Sequence, residues 1–349
     1  MMSSKIWVQS LFLILLSIGI SVGIFNYNID PYGYFSSHEK YVKTLTRIAK
    51  PKILNIKLYT SAQMYLIGTS RQRRVNPQLI ESLTGYRTQN VNITGSTLSE
   101  NYLLAKKLKT LKKNFIFGFD CTSLNRYRVE NFAEITNRYL TYKEELTHTR
   151  YPYASLFDAD ITLQSIQYLT DKHKHIAYDQ IEKHENAQHY AINPKVLVGA
   201  VDGSNKKSSY SAYTAYSDET VRALAKLATK EDVFVIFPKY IGWYKMFHTY
   251  QDIEAKYFHA ISVLVKNTKA KVWIFYGKNS ITVNADNFDT NGWHFKPRIA
   301  KKIFAKVYGK NITDAEDDFG HLLTIKNVDS VLTILSERLN YNTYNDNQI

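Results

Sequence analysis

Cysteine is nearly absent from this chain: Cys121 is the only one in 349 residues. That excludes an internal disulfide and any cysteine-built zinc or iron–sulfur site. Proline and glycine are sparse, at 7 and 14 residues, which excludes a collagen-like or low-complexity chain. Acidic residues are outnumbered, 31 against 45 Lys and Arg, for a net charge of +14. What is present suffices for a core: 44% hydrophobic and 22% charged residues exclude disorder as the main state. The length suits one large domain or two small ones. The positive balance and the 27 tyrosines raise nucleic acid as a partner, an expectation that depends on the compartment.

The N-terminus bears on the compartment. Ile6 to Phe25 reads IWVQSLFLILLSIGISVGIF, without a single charge. A bilayer-spanning helix needs about 20 mostly apolar residues, whereas a cleaved signal has a core of only ~7–15. The run at 6–25 is therefore expected to be an uncleaved transmembrane signal anchor behind a cytoplasmic stub, 1–5; the alternative is a signal cleaved at Gly19-Ile20-Ser21 or Ser21-Val22-Gly23, both poor small-x-small sites. Lys5 and the terminal amine precede it, and the first charge after it is Asp30. Positive charge stays in the cytoplasm, so the chain beyond is expected outside. It keeps 44 basic against 31 acidic residues, a net +13. The expectation becomes a bacterial inner-membrane protein with a periplasmic domain and no nucleic-acid partner. Anionic or neutral envelope glycans, lipid head groups and a protein of an envelope complex are the expected partners.

A juxtamembrane segment, 26–60, follows. From 61 to 340 the pattern alternates strands and helices. Tyr65–Gly68, a stretch leading to Val91–Ile93, Asn114–Phe119, Val233–Phe237 and Lys271–Tyr276 read as buried strands. Asn76-Pro77 opens a helix that Gly85 closes. Further helices are expected at Ser99–Leu111, Ser217–Thr229, Asp252–Val265, Pro297–Val307 and Val328–Leu339. The order predicts an α/β fold, a three-layer parallel sheet with right-handed crossovers and a helical insertion near 126–215. A tail, 341–349, ends the chain. Ligands of such sheets bind beyond the C-terminal strand ends. Those ends carry Gly68-Thr69-Ser70, Thr94-Gly95, Gly118-Phe119-Asp120 and Pro238-Lys239-Tyr240.

Ser70 follows the first strand and can act as a nucleophile if a base arrives from elsewhere. His294 lies on the late loop Asp289-Thr290-Asn291-Gly292-Trp293-His294-Phe295, where an acid would orient it. Backbone N–H groups of Ser70 and Gly95 are candidate oxyanion donors. Gly68-Thr69-Ser70-Arg71, Asn92-Ile93-Thr94-Gly95-Ser96, Gly118-Phe119-Asp120 and Asp289…His294 together resemble the block order of SGNH/GDSL-type hydrolases. More closely, with Asp30-Pro31-Tyr32-Gly33 behind the anchor, they resemble membrane-anchored bacterial SGNH-like proteins of cell-envelope glycan modification. The resemblance covers residues 26 to about 310. It implies a flavodoxin-like sheet and acyl-ester chemistry through Ser70, His294 and Asp289, as an esterase or O-acyltransferase, with O-acetyl as the expected group. The alternative is a non-catalytic member that binds a glycan or serves polysaccharide assembly.

Two positions depart from the family. Its acid usually stands three residues before the histidine, where this chain has Asn291; Asp289 is five before and Asp286 eight before. Asp289 is the expected acid, with Asp286 or no acid as alternatives. Many members carry an asparagine in the third block as an oxyanion donor, where this chain has Asp120. A carboxylate only accepts hydrogen bonds, so Asp120 is expected to pair with Arg71 and fix the Ser70 turn. His184 and His189 are one residue too far apart for the zinc-protease spacing, and no metal or cofactor is expected. Cys121 is expected to be a buried thiol.

Overall fold

A computed structural model describes residues 4–30, 62–125, 153, 156–170, 178–189, 192, 213, 215–249, 252–310 and 318–340. The chain forms two compact units: residues 1–59 with 137–178, and residues 60–136 with 179–349. The expected insertion near 126–215 is thus divided between them. Much of it, like most of the 26–60 segment and the whole 341–349 tail, lies outside the described residues.

In the first unit, α1 (Ser4–Ile29) is a continuous helix of 26 residues, about 39 Å at 1.5 Å per residue. It is long and apolar enough to span a membrane. Its large side chains, such as Phe12, Leu15 and Ile20, are exposed, as no soluble core helix would leave them. It ends at Asp30, whose backbone is left-handed and whose N–H donates to the Asn26 carbonyl at 2.9 Å.

The second unit is built on six strands: β1 (Met64–Ile67), β2 (Thr88–Asn90), β3 (Asn114–Gly118), β4 (Val233–Ile236), β5 (Lys271–Ile274) and β6 (His321–Leu323). Their spatial order is β2-β1-β3-β4-β5-β6. The first five are parallel, with Leu66 opposite Ile116 and Ile116 opposite Val233. The wholly parallel sheet expected from the sequence is corrected at one edge, where β6 pairs antiparallel with β5. A three-residue strand has too few side chains to signal itself, and an edge strand tolerates either direction.

Among the described residues of this unit, seven helices surround the sheet: α2 (Pro77–Thr84), α3 (Leu98–Thr110), α6 (Asp218–Leu227), α7 (Ile241–Thr249), α8 (Ile253–Asn267), α9 (Pro297–Val307) and α10 (Val328–Asn340). Two more helices, α4 (Ala159–Thr170) and α5 (Tyr178–Ala187), come from the insertion. Met64, Leu66, Ile116, Val233 and Val235 point to one sheet face and pack with Ile80 of α2 and Ile299, Ile303 and Phe304 of α9. Alternate residues Tyr65, Phe115, Phe117 and Phe234 are buried on the other face. There α3 packs on β1 and β3, and α6 packs between α3 and α8. Covering both faces explains why β1 and β4 are apolar along their whole length.

Local chemistry sets the boundaries. The Asn76 carboxamide accepts the Gln78 N–H at 3.0 Å, Pro77 takes the first helical position, and Gly85 closes α2 at φ +74°. Helix α3 starts at Leu98, one residue before the expected Ser99, because Thr97 and Glu100 form a capping box. Helix α7, unpredicted, is built from buried aromatics, with Trp243, Tyr244 and Phe247 all inside.

Asp232 is wholly buried and joins three elements. Its carboxylate accepts the Phe115 N–H at 2.8 Å, the Thr229 N–H at 2.6 Å and hydroxyl at 2.9 Å, and pairs with Lys109 at 2.5 Å. Asp232→Ala strands those donors in a closed interior and is expected to cost about 3 kcal/mol. Denaturant unfolding of the solubilised protein measures it; a loss below about 1 kcal/mol contradicts this account.

Candidate active site

The C-terminal ends of β1 and β3 lie side by side where the strand order reverses, the crevice position of a doubly wound sheet. Both chains leave it through glycine. Gly68 has φ +142°, and a Cβ there would lie 3.1–3.2 Å from the Gly118 backbone. Only glycine lets the two strand ends come this close. Thr69 follows, and Ser70 opens a short 3-10 turn, Ser70–Arg74. As the first residue of that turn, Ser70 keeps its N–H outside the helical bonding.

The stretch after β2 braces this turn. Val91 and Ile93 donate backbone N–H groups to the Leu66 and Gly68 carbonyls at 3.0 and 2.9 Å, prolonging the ladder towards the expected strand end. The Asn92 carboxamide donates to the Thr69 carbonyl at 3.2 Å. Ser96 N–H then closes a β-turn on the Ile93 carbonyl at 3.1 Å, with Gly95 at φ +83°. That sign at the third turn position defines a type II turn, which favours glycine.

His294 is delivered by a hairpin. Phe288 and Phe295 pair antiparallel and are fully buried, so they anchor its base in the core. The Asp289 N–H donates to the His294 carbonyl at 2.9 Å, and the Gly292 N–H donates to the Asp289 carbonyl at 2.8 Å. Asp289 and His294 therefore face each other across the hairpin, which is why a spacing of five works. One Asp289 oxygen accepts the Trp293 and His294 N–H groups at 3.1 and 3.2 Å; the other meets His294 Nδ1 at 2.7 Å. Gly292 is left-handed, at φ +66°, and a Cβ there would meet Tyr240 Cβ at 2.8 Å.

The structure brings Ser70, His294 and Asp289 together. Ser70 Oγ lies 2.8 Å from His294 Nε2, across 224 residues of sequence. With the Asp289 carboxylate on Nδ1, the proton belongs on Nδ1, and Nε2 accepts from the serine. Burial pulls the His294 pKa below its usual value, and Asp289 only partly opposes this. Burial raises that of Asp289, but the His294 hydrogen bond and charge outweigh it and hold the carboxyl below its usual range. The other acid positions go elsewhere. Asp286 meets His189 at 3.2 Å, and Asn291 presents its carbonyl to Trp243 Nε1 at 2.8 Å.

Arg71 and Asp120 are both buried and form an ion pair. Asp120 also accepts the Thr69 hydroxyl at 2.9 Å and the Thr122 N–H at 3.1 Å. Lys239 Nζ stands 3.7 Å from its other oxygen. Burial raises the Asp120 pKa, but the charges of Arg71 and Lys239 prevail and keep it far below the carboxylate range. Trp293 covers the cluster, its ring centroid 4.2 Å from the Arg71 guanidinium and 4.7 Å from Lys239 Nζ. The charge cluster under Ser70 is thus coupled to the residue next to His294.

Sequence reasoning missed Lys239 and Trp293 as parts of this cluster. Lys239 stood at a strand end singled out for ligands, but its full burial carries no sequence signal. Also missed was the clamp from α5: Glu185 pairs with Arg74, the Asn186 carboxamide accepts the Arg298 N–H at 3.0 Å, and Lys296 donates to the Gln188 carbonyl. Among the described residues, no group of three or more His, Cys, Asp or Glu side chains is placed to hold a metal ion. Cys121 is buried and its thiol pKa is pushed up to about 12, chiefly by burial, so it stays a thiol. Comparison with protein-family models, curated proteins and solved structures finds no match to this chain.

Burial, aided by Arg71, brings the Lys239 pKa down to about 8 from 10.5. Between those values the unfolded chain binds the proton and the folded chain does not, so this residue makes stability rise with pH. Wild type should therefore gain stability relative to Lys239→Met between pH 8 and 10, in paired denaturant titrations. A difference that stays flat across that range rejects the buried-cation account.

Proposed function

We propose that the chain is an envelope-anchored, SGNH-like serine esterase or O-acyltransferase acting on a cell-surface polysaccharide. The observation that carries this reading is the relay from Ser70 Oγ to His294 Nε2 at 2.8 Å and from His294 Nδ1 to Asp289 at 2.7 Å. It stands at the crevice of the sheet, and both Ser70 and His294 are partly exposed there. In this reading Ser70 Oγ attacks an acyl carbonyl while His294 Nε2 takes its proton, and Asp289 stabilises the imidazolium. The Ser70 and Gly95 N–H groups hold the oxyanion. The alcohol leaves with the proton from His294, and the acyl group stays on Ser70. Water, or a sugar hydroxyl, then attacks the acyl-serine with His294 again as base. Water gives the esterase and the sugar gives the transferase, with acetyl as the expected group. Helix α1 is the membrane anchor, and Lys5 on its N-terminal side favours a periplasmic domain on a bacterial inner membrane.

A second reading rests on Asp120. A third-block carboxylate fully engaged by Arg71, Lys239 and Thr69 donates nothing to an oxyanion. A glycan-binding or polysaccharide-assembly protein would keep the fold and need no such donor.

A fluorophosphonate probe and a small aryl acetate separate the two. The wild type should be labelled on Ser70 and hydrolyse the acetate, and Ser70→Ala should lose both, with a fall of at least about a thousandfold in rate. An unlabelled wild type supports the binding protein, and an Ser70→Ala variant with wild-type rate removes the serine mechanism.

The pH profile offers a separate check. Protonated His294 cannot take the Ser70 proton, so activity should fall as pH drops through the His294 pKa. Because that pKa is lowered, the acid limb should have its midpoint below 6.5. A midpoint above 7 contradicts a His294 pKa lowered by burial.

A further inference from the structure

In the first unit, α4 carries an exposed apolar stripe. Leu163, Ile166 and Leu169 are 51%, 48% and 58% exposed, three residues apart on the helix, and Phe157 just before it is 61% exposed. Ile161 and Ser165, on the flank of this stripe, are buried. From Ile161 to Thr170 the helix contains no charged residue. A soluble helix places polar side chains where this one places leucine and isoleucine.

The contacts with α1 say what covers the stripe. Asn26 follows directly on the apolar run that ends at Phe25. Its carboxamide donates to the Leu156 carbonyl at 2.6 Å and to the Thr162 hydroxyl at 2.8 Å. One turn earlier, inside the run, a Cβ on Gly23 would sit 3.0 Å from the Phe157 ring. Gly23 is about 3 Å of helix rise from the end of the run. If α1 spans a bilayer, Phe157 is at the hydrocarbon boundary and Thr162 is level with the first polar residue. The exposed stripe begins one residue later. Tyr153, also exposed, adds an aromatic of the kind enriched at that depth.

We propose that α4 is an interfacial helix, with Phe157, Leu163, Ile166 and Leu169 set against lipid at the boundary between head groups and acyl chains. The partner is the bilayer into which α1 inserts. Asn26 is the fastener: it bonds the insertion helix to the anchor at the level where water begins. Burying three aliphatic side chains in lipid strengthens attachment beyond a single span and fixes the insertion's depth. The inference rests on α1 as a membrane anchor, not on the chemistry of Ser70.

The test uses the full chain in phosphatidylethanolamine–phosphatidylglycerol vesicles, with Leu163, Ile166 or Leu169 replaced singly by a spin-labelled cysteine. Cys121 is buried and stays unlabelled. A label at Ile14, mid-way along α1, is the lipid reference. Collision with dissolved oxygen should exceed collision with a water-soluble nickel chelate several-fold at all three sites, as at Ile14. Labels that meet the nickel chelate more than oxygen face water and overturn the proposal. Labels shielded from both are covered by protein, for example a second copy, and overturn it too. A water-exposed label at Ile14 removes the anchor and this inference together, whereas acetate hydrolysis by Ser70 would be untouched.

Discussion

The Asp120 carboxylate is the interaction on which the rest of the site depends. It lies at the end of the third strand and gathers what the first and fourth strands deliver: the Thr69 hydroxyl, the Arg71 guanidinium and the Lys239 ammonium. One negative charge among two positive ones leaves the cluster cationic, and so long as Lys239 stays protonated the net charge is buried. Desolvation of two cations is expensive, and close pairing with Asp120 and the Trp293 face help to offset it. Geometry follows from that constraint. Thr69 and Arg71 flank Ser70, so holding both of them on Asp120 leaves the serine turn no freedom to swing. Trp293 stacks over the same charges, so the neighbouring histidine is placed by the cluster that places the serine.

The Asp289–His294 pair follows a different rule. Asp289 and His294 belong to one hairpin, and their contact needs only a tight turn and a left-handed Gly292. Asp289 takes the backbone N–H groups of Trp293 and His294, bonds that a regular ladder would have supplied, while its second oxygen holds the imidazole. The carboxylate thus shapes the loop and orients the ring at once. Two buried phenylalanines at the base fix how far the loop projects.

Much of this was legible in the residues. Asn76-Pro77 and Gly85 mark their helix because each has one backbone job, and apolar runs at 64–67, 114–118 and 233–236 announce doubly covered strands. Ser70, His294 and Asp289 stood out through strand-end and loop positions. Other features were not legible for physical reasons. The choice among Asp289, Asp286 and Asn291 depends on the path of the turn, not on spacing alone. Thr97 displaced Ser99 as cap because reciprocity with Glu100 decides between adjacent hydroxyl residues. The antiparallel β6 is three residues long, too short for any period. Lys239 reads as a surface cation in sequence, and only the meeting of three strand ends shows why it is inside. Helix α7 is only nine residues long, too short for its one polar edge, at Lys245 and His248, to establish a 3.6-residue period.

The hairpin bears on how the protein is made. The pair that would activate Ser70 lies 224 residues downstream of it, past four of the six strands. A chain emerging from the ribosome carries its serine long before the imidazole that would deprotonate it. Until the last fifth of the polypeptide has been synthesised and the hairpin has closed on the core, that hydroxyl is as unreactive as any other serine. Latency of this kind needs no propeptide and no inhibitor. It comes from chain order alone: on the proposed mechanism, a product truncated before the hairpin lacks the base that would activate Ser70.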